Sequence, residues 1–282
     1  MRNLNLLFYK EYYEKLGTEN FASDVSEKNN ELINARFDKK LKPPVENCQF
    51  FVLKVLYPGL LIGTGLPHGA GKLGGSDDDV NMGFSFDYVT GQPYIPGSSV
   101  KGILRSHFKN HAIAVAEILN KNGYADIDED VVNKLEESIF DNSDIFFDAV
   151  VCSGNSEGKL IDFDYITPHE SPTKNPTPVY IIKVLPDVQF EFRFKISDKK
   201  IDDIKFTAGK IKWLFQELLL LFGAGAKTNV GYGVFEKVVV SRPKAAKGNK
   251  GGKKKQQNKP QFQDDNLSDY QRVLQSLLKK GV

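Results

Sequence analysis

The stretch FGAGAKTNVGYG, Phe222 to Gly233, sets a Lys-Thr pair behind closely spaced glycines, the residue types that cradle phosphates. In the nucleotide-binding form GxxxxGK[ST], a glycine directly before the lysine lets the backbone close on a phosphate. Here Leu221 and Ala226 stand at the two defining glycine positions. An ATP loop also runs from strand to helix, with the phosphate on the helix N-terminus, whereas this loop follows a helical pattern and precedes a strand pattern. Both departures argue against ATP. Two readings stay open: a helix cap and turn with no ligand, and an anion-binding concavity of accessible backbone N–H groups with Lys227 beside it. Gly223, Ala224, Gly225, Ala226, Gly231 and Gly233 are more small residues than capping needs. Thr228 and Asn229 add short donors and Tyr232 an aromatic face. Those parts suit a sugar-phosphate backbone, which is held by shape and charge.

A second group with chemical potential is YIPGSSVKGILR, Tyr94 to Arg105. Ser98 or Ser99 can cap a helix here, and unpaired N–H groups at a helix start attract phosphate. Lys101, Arg105 and Lys109 follow four apart, a cationic stripe down one face. RNA cleavage would instead need a histidine near a cation, or carboxylates holding a metal. His107 and His111 have a metal-compatible spacing, yet no HExxH glutamate accompanies them and His107 borders the apolar stripe, which favours buried structural histidines. His68 falls in a glycine-rich stretch and is expected in solvent. Asp77, Asp78 and Asp79 form the best acidic candidate, although adjacent acids cannot all face one ion and such runs are usually solvated. Cys48 and Cys152 lie outside any CxxC pattern and read as buried small apolar residues, so no metal or other cofactor is expected.

Elements must position these groups. Residues 1–42 read as two helical pieces broken near Gly17, the second ended by Pro43-Pro44. QFFVLKVLY (49–57), GFSFDY (83–88), IFFDAVV (145–151), KLIDFDYI (159–166), VQFEFRFKI (188–196) and VGYGVFEKVVV (230–240) read as strands, the fifth with one wet face. PGSSVKGILRSHFKNHAIAVAEILNKNG carries one long amphipathic helix, a second spans about 130–140, and a third runs from Ala208 to Phe222 with Gly223 as its cap. Seven glycines between Gly59 and Gly75 mark a loop or a flexible ligand contact, and four prolines in TPHESPTKNPTPVY mark an extended arm that includes His169. The alternation of strands and helices predicts an α+β, ferredoxin-like βαββαβ unit with insertions.

No apolar run approaches the ~20 residues that span a bilayer, and the charged N-terminus lacks a signal-peptide core, so a cytoplasmic protein without a membrane partner is expected. The net charge of +2 is uneven: residues 241–259 carry eight Lys or Arg and no acid, which leaves residues 1–240 at −6. The chain thus divides into a helical extension (1–45), the α+β domain (46–240), a disordered basic linker (241–259) and a short amphipathic helix (260–282).

YIPGSSVKGILR and FGAGAKTNVGYGVFE together resemble the N-terminal and C-terminal signatures of the RAMP superfamily of CRISPR proteins, and FFDAVV and DYITPH resemble its intervening segments. Within it, the motif order, single RAMP unit, helical extension and length resemble most the sixth-subunit family of the type III-B, or Cmr, effector complex. The resemblance covers roughly residues 50–240 and implies an RRM-related ferredoxin-like fold. It implies a non-catalytic subunit stacked on a CRISPR guide RNA toward its 3′ end, capping the row of backbone subunits in antiviral defence. The implied partners are guide RNA, target RNA, a backbone RAMP subunit, a small helical subunit and a terminal RAMP subunit. Carried over by position, the guide-facing residues would be Ser98, Ser99, Lys101 and Arg105, and then Gly223, Gly225, Lys227, Thr228, Asn229, Gly231 and Gly233. Some RAMP proteins cut RNA, so an endoribonuclease acting on CRISPR RNA is the alternative implied by the same resemblance.

Overall fold

The computed structural model describes residues 2–39, 48–66, 68, 80, 82–166 and 179–238. The proline-rich arm, the Asp77–Asp79 run, His169, Pro43-Pro44, the basic linker and the terminal helix expected from the sequence lie outside those residues.

A mixed α/β fold is built on one antiparallel sheet. Strand β1 (Gln49–Val55) is followed by β2 (Tyr94–Ile95), β3 (Ile145–Phe146), β4 (Ala149–Ser153), β5 (Ile161–Ile166), β6 (Val179–Val184), β7 (Gln189–Lys195), β8 (Lys199–Ile201), β9 (Ile204–Phe206) and β10 (Phe235–Lys237). The main sheet runs β10-β1-β7-β4-β2, with β3 also paired to β7, while β5-β6 and β8-β9 form separate two-stranded ribbons. The register Phe51↔Phe192 and Leu53↔Phe190 aligns the apolar positions of β1 and β7 on one face. That face is covered by helices α3 (Gly97–Asn110), α4 (Ala112–Lys121), α5 (Glu129–Phe140) and α6 (Ala208–Phe222), and α1 (Leu4–Tyr9) and α2 (Phe21–Asn34) share the same core. Phe215 of α6 centres it, with ring centroids 5.3 Å from Phe194 and 5.7 Å from Phe146. Each fully buried Phe contributes on the order of 2–3 kcal/mol, so this cluster holds the helices that carry the two sequence motifs.

Several expected elements differ. The long helix divides at His111, whose backbone leaves the helical region (φ −135°, ψ 37°) while its ring stacks on Phe222 at 3.9 Å. Neither Ser98 nor Ser99 caps α3; the cap position is Pro96, and Asp148 accepts the Gly97 N–H at 2.7 Å. GFSFDY joins no ladder, making one bridge at Phe86↔Pro93, although Phe84 and Phe86 are buried. IFFDAVV forms two strands split at Phe147-Asp148, and the last strand contracts to three residues because 230–234 turn instead. The second N-terminal helix ends at Asn34, where Ala35 becomes extended. The supposed wet face of β7 is largely closed: Arg193 is 3% exposed and reaches Glu191 at 2.7 Å. Cys48 and Cys152 are half-buried and unpaired with each other.

Candidate nucleic-acid interface

The glycine-rich loop begins where α6 is clamped. Gly223 ends the helix at φ 72°, its carbonyl accepts from His107 Nε2 at 3.0 Å, and Phe222 lies under His111. Next, Ala224 N–H donates to Gly233 O at 3.0 Å and Gly233 N–H to Gly59 O at 2.8 Å, closing the loop at its neck. A side chain at Gly233 would overlap the Ala224 carbonyl, so glycine there is a packing requirement. Gly223 and Gly233 are buried at this neck, whereas Gly225, Lys227, Thr228 and Asn229 are exposed beyond it.

Lys227 sits at the apex in the left-handed region (φ 58°, ψ 37°) and starts a 3₁₀ turn, Thr228–Val230, that ends on Gly231. Of the amides around it, Ala226 donates to Leu61 O, Val230 to Lys227 O and Gly231 to Thr228 O. The N–H groups of Gly225, Lys227, Thr228 and Asn229 have no acceptor among the described residues, nor does Lys227 have an ion-pair partner there. Four donors without an acceptor among the described residues, beside a cation without an ion-pair partner there, match the composition of an anion-binding concavity. Tyr232, expected to offer a face to a ligand, turns inward instead. Its hydroxyl donates to Asp164 Oδ2 at 2.8 Å, on which Lys183 also converges at 2.6 Å, and its ring packs on Leu61 and Ile181. Burial, and then the Asp164 carboxylate, push the Tyr232 phenol up to about 12.

On α3, Ser98 and Ser99 lie exposed in the first turn. The basic stripe points elsewhere: Lys101 lies 5.9 Å over the Phe146 ring, and Arg105 is held by Glu136 at 2.5 Å and Asp141 at 2.9 Å. Lys109 also approaches Glu136, at 3.9 Å. A groove of about 800 Å³ separates the two motifs, with Ser99, Gly102 and Ile103 on one wall and Gly225 and Ala226 on the other. Sequence reasoning brought the motifs together but missed the groove's other contributors, Thr64, Tyr88 and Tyr94 among them. It also missed Asp148 and Asp164, whose partners are remote in sequence.

The three described histidines are packed against aromatic rings. His107 is packed against Phe222, and burial pushes its imidazole down to about 4. Burial likewise lowers His111. His68, expected in solvent, is 6% exposed, stacked on Phe8 at 3.7 Å, with Nδ1 3.0 Å from Val80 O and Nε2 2.8 Å from Phe8 O. Aromatic rings of α1 and the following turn enclose it, which removes it from any ligand path. Among the described residues no group of three or more His, Cys, Asp or Glu is placed to hold a metal, and no helix is long and apolar enough to cross a membrane.

Residues 52–236 match the model of the RAMP superfamily, a span that contains both motifs and the groove between them. The chain belongs to the RAMP superfamily. A curated relative, CRISPR system CMR subunit Cmr6 of Saccharolobus solfataricus, is 31% identical over 161 residues, 55% of this chain and 49% of that protein. The matched part of this RAMP chain thus spans about half the length of that relative. Among solved structures, a chain of the type III-B Cmr-beta complex bound to cognate target RNA is 26% identical, covering 81% of this chain and 79% of that one at a TM-score of 0.47. Cmr6 from Pyrococcus furiosus is 19% identical, covering 69% and 100%, at a TM-score of 0.42.

Proposed function

We propose that this RAMP protein is a non-catalytic subunit of a cytoplasmic type III-B CRISPR effector complex, where it holds the guide RNA by its backbone. In this reading it lies toward the guide's 3′ end and caps the row of backbone subunits. Its partners are the guide, the target RNA paired to it, and the neighbouring backbone, small helical and terminal RAMP subunits. The elements β1, α3, β4, β7, α6 and β10 then constitute a ferredoxin-like, RRM-related βαββαβ unit within residues 46–240, because each crossover passes over one intervening strand. Residues 1–45 are its helical extension, 241–259 a basic linker and 260–282 a terminal helix.

The observation that carries the proposal is the exposed apex of the glycine loop, where Lys227 stands among four amides that have no acceptor among the described residues. A phosphate satisfies both needs at once, and phosphate contacts position a strand without reading it. Gly225, Lys227, Thr228 and Asn229 make these contacts, with Ser98 and Ser99 adding donors at the start of α3. Lys101 adds positive potential from beside Phe146. Gly223, Gly231 and Gly233 shape the loop, and Arg105 holds α3 against α5. A non-catalytic role is supported by His68, His107 and His111, whose rings are engaged by carbonyls or by aromatic neighbours.

The test is single-stranded RNA binding by the full chain as salt is varied. Lys227→Ala is expected to weaken binding of every sequence alike and to reduce the log–log salt slope by about 0.7, the contribution of one phosphate contact on a single strand. An unchanged slope and affinity would remove the loop from the RNA path.

A further inference from the structure

The groove between the two motifs differs chemically from the loop beside it. Among the described residues its lining contains no Asp, Glu, Lys, Arg or His to balance a phosphate. Its walls are mainly Leu, Ile, Phe and Tyr side chains and glycine backbone, and several of the lining residues carry hydroxyls. Those of Thr64, Ser99 and Tyr94 have no hydrogen-bond partner among the described residues. By contrast, Tyr9 and Asn5 are engaged in the groove's own wall: Tyr9 Oη donates to Phe84 O at 2.7 Å, and Asn5 Nδ2 donates to Phe86 O at 3.0 Å. An apolar cleft lined by a few polar groups that its own wall leaves unengaged is the form of a site for a neutral ligand.

At its mouth stands Tyr88, 82% exposed. The turn that carries it is held firmly. Asp87 N–H donates to Gln92 O and Gly91 N–H to Asp87 O, both at 2.8 Å, and Asn3 Nδ2 donates to Tyr88 O at 2.9 Å. An exposed aromatic ring on a hydrogen-bonded turn beside a neutral cleft matches the chemistry of an unstacked base, which is flat, uncharged and edged with donors and acceptors.

We infer that the groove takes a nucleobase of single-stranded RNA, stacked on Tyr88 and hydrogen-bonded by the Thr64, Ser99 and Tyr94 hydroxyls, while Lys227 and the loop amides hold the adjoining phosphate. This rests on the backbone-binding reading above and adds base contact to it. The Gly225 amide belongs to both sites, since it lines the groove and is one of the loop's free donors, so phosphate and base are engaged on one strand.

The experiment compares binding of the full chain to an intact oligoribonucleotide and to one of equal length with abasic residues. Intact RNA is expected to bind about tenfold more tightly, the scale of one base stacked on an aromatic ring. Tyr88→Ala, an exposed-turn change, and the pair Thr64→Val with Tyr94→Phe should each shrink that ratio while abasic binding and its salt slope stay unchanged. Lys227→Glu should weaken both RNAs equally. Equal binding of the two RNAs to the unaltered chain, with Lys227→Glu weakening both, overturns base binding alone. Failure of both RNAs to bind overturns the backbone reading as well. Groove variants that leave RNA binding intact but reduce copurification of a neighbouring subunit would assign the groove to a protein segment and overturn the inference.

Discussion

Gly233 and Gly231 offer a controlled contrast, since both adopt positive φ (72° and 96°) in the same loop but face different surroundings. At Gly231 an added Cβ meets only Pro58 Cδ at 3.7 Å, so Gly231→Ala should cost only the left-handed backbone strain, about 1–2 kcal/mol. At Gly233 the same strain is joined by overlap with the Ala224 carbonyl. Relief requires the neck to part, which breaks the Ala224 N–H to Gly233 O and Gly233 N–H to Gly59 O bonds. Each is worth about 1 kcal/mol net, which brings Gly233→Ala to about 4 kcal/mol. Thermal unfolding followed through Trp213, the sole tryptophan and a residue of α6, measures both. For a chain of this size the melting temperature should fall by about 4 °C in the first variant and by 10 °C or more in the second. RNA affinity should survive Gly231→Ala and drop in Gly233→Ala, because only the latter scatters the free amides. Equal midpoints for the two variants, or full RNA affinity in Gly233→Ala, would refute the account of the neck.

Tyr232→Phe should cost about 1 kcal/mol and loosen the loop, because the bond to Asp164 that ties it to β5 is lost; faster amide exchange at 225–229 with unchanged exchange in α5 is the expected readout. His107 sets a pH dependence. Its pKa is about 4 in the folded chain and 6.5 in the ordinary state, so its contribution is fully present above pH 6.5 and is lost as pH falls through 4. That is about 3 kcal/mol across the window, and His107→Phe should flatten it in pH-dependent urea unfolding.

Much of the frame could be read from periodicity. β1 and β7 follow from alternating aromatics, and α6 from an apolar run closed by Gly223, because these signals are local and the core reinforces them. The glycine loop was legible for the same reason: left-handed positions and close approaches demand glycine wherever they occur. What escaped were the partners. Tyr232 was read as a ligand face because Asp164 and Lys183 lie on another ribbon, and His68 as solvent-facing because Phe8, Tyr12 and Tyr13 reach it from α1 and the turn after it. Likewise, Lys101, Arg105 and Lys109 form a stripe whose spacing resembles a phosphate track, yet α5 brings Glu136 and Asp141 against Arg105. The body of the chain, net acidic over residues 1–240, has more carboxylates than cations, so a lysine or arginine near a packed element tends to meet one. A cation stays available for a ligand where topology carries it beyond that reach. Lys227 is such a residue because the neck at Gly233 projects the loop outward, which makes the buried glycine as necessary to the proposed phosphate site as the lysine itself.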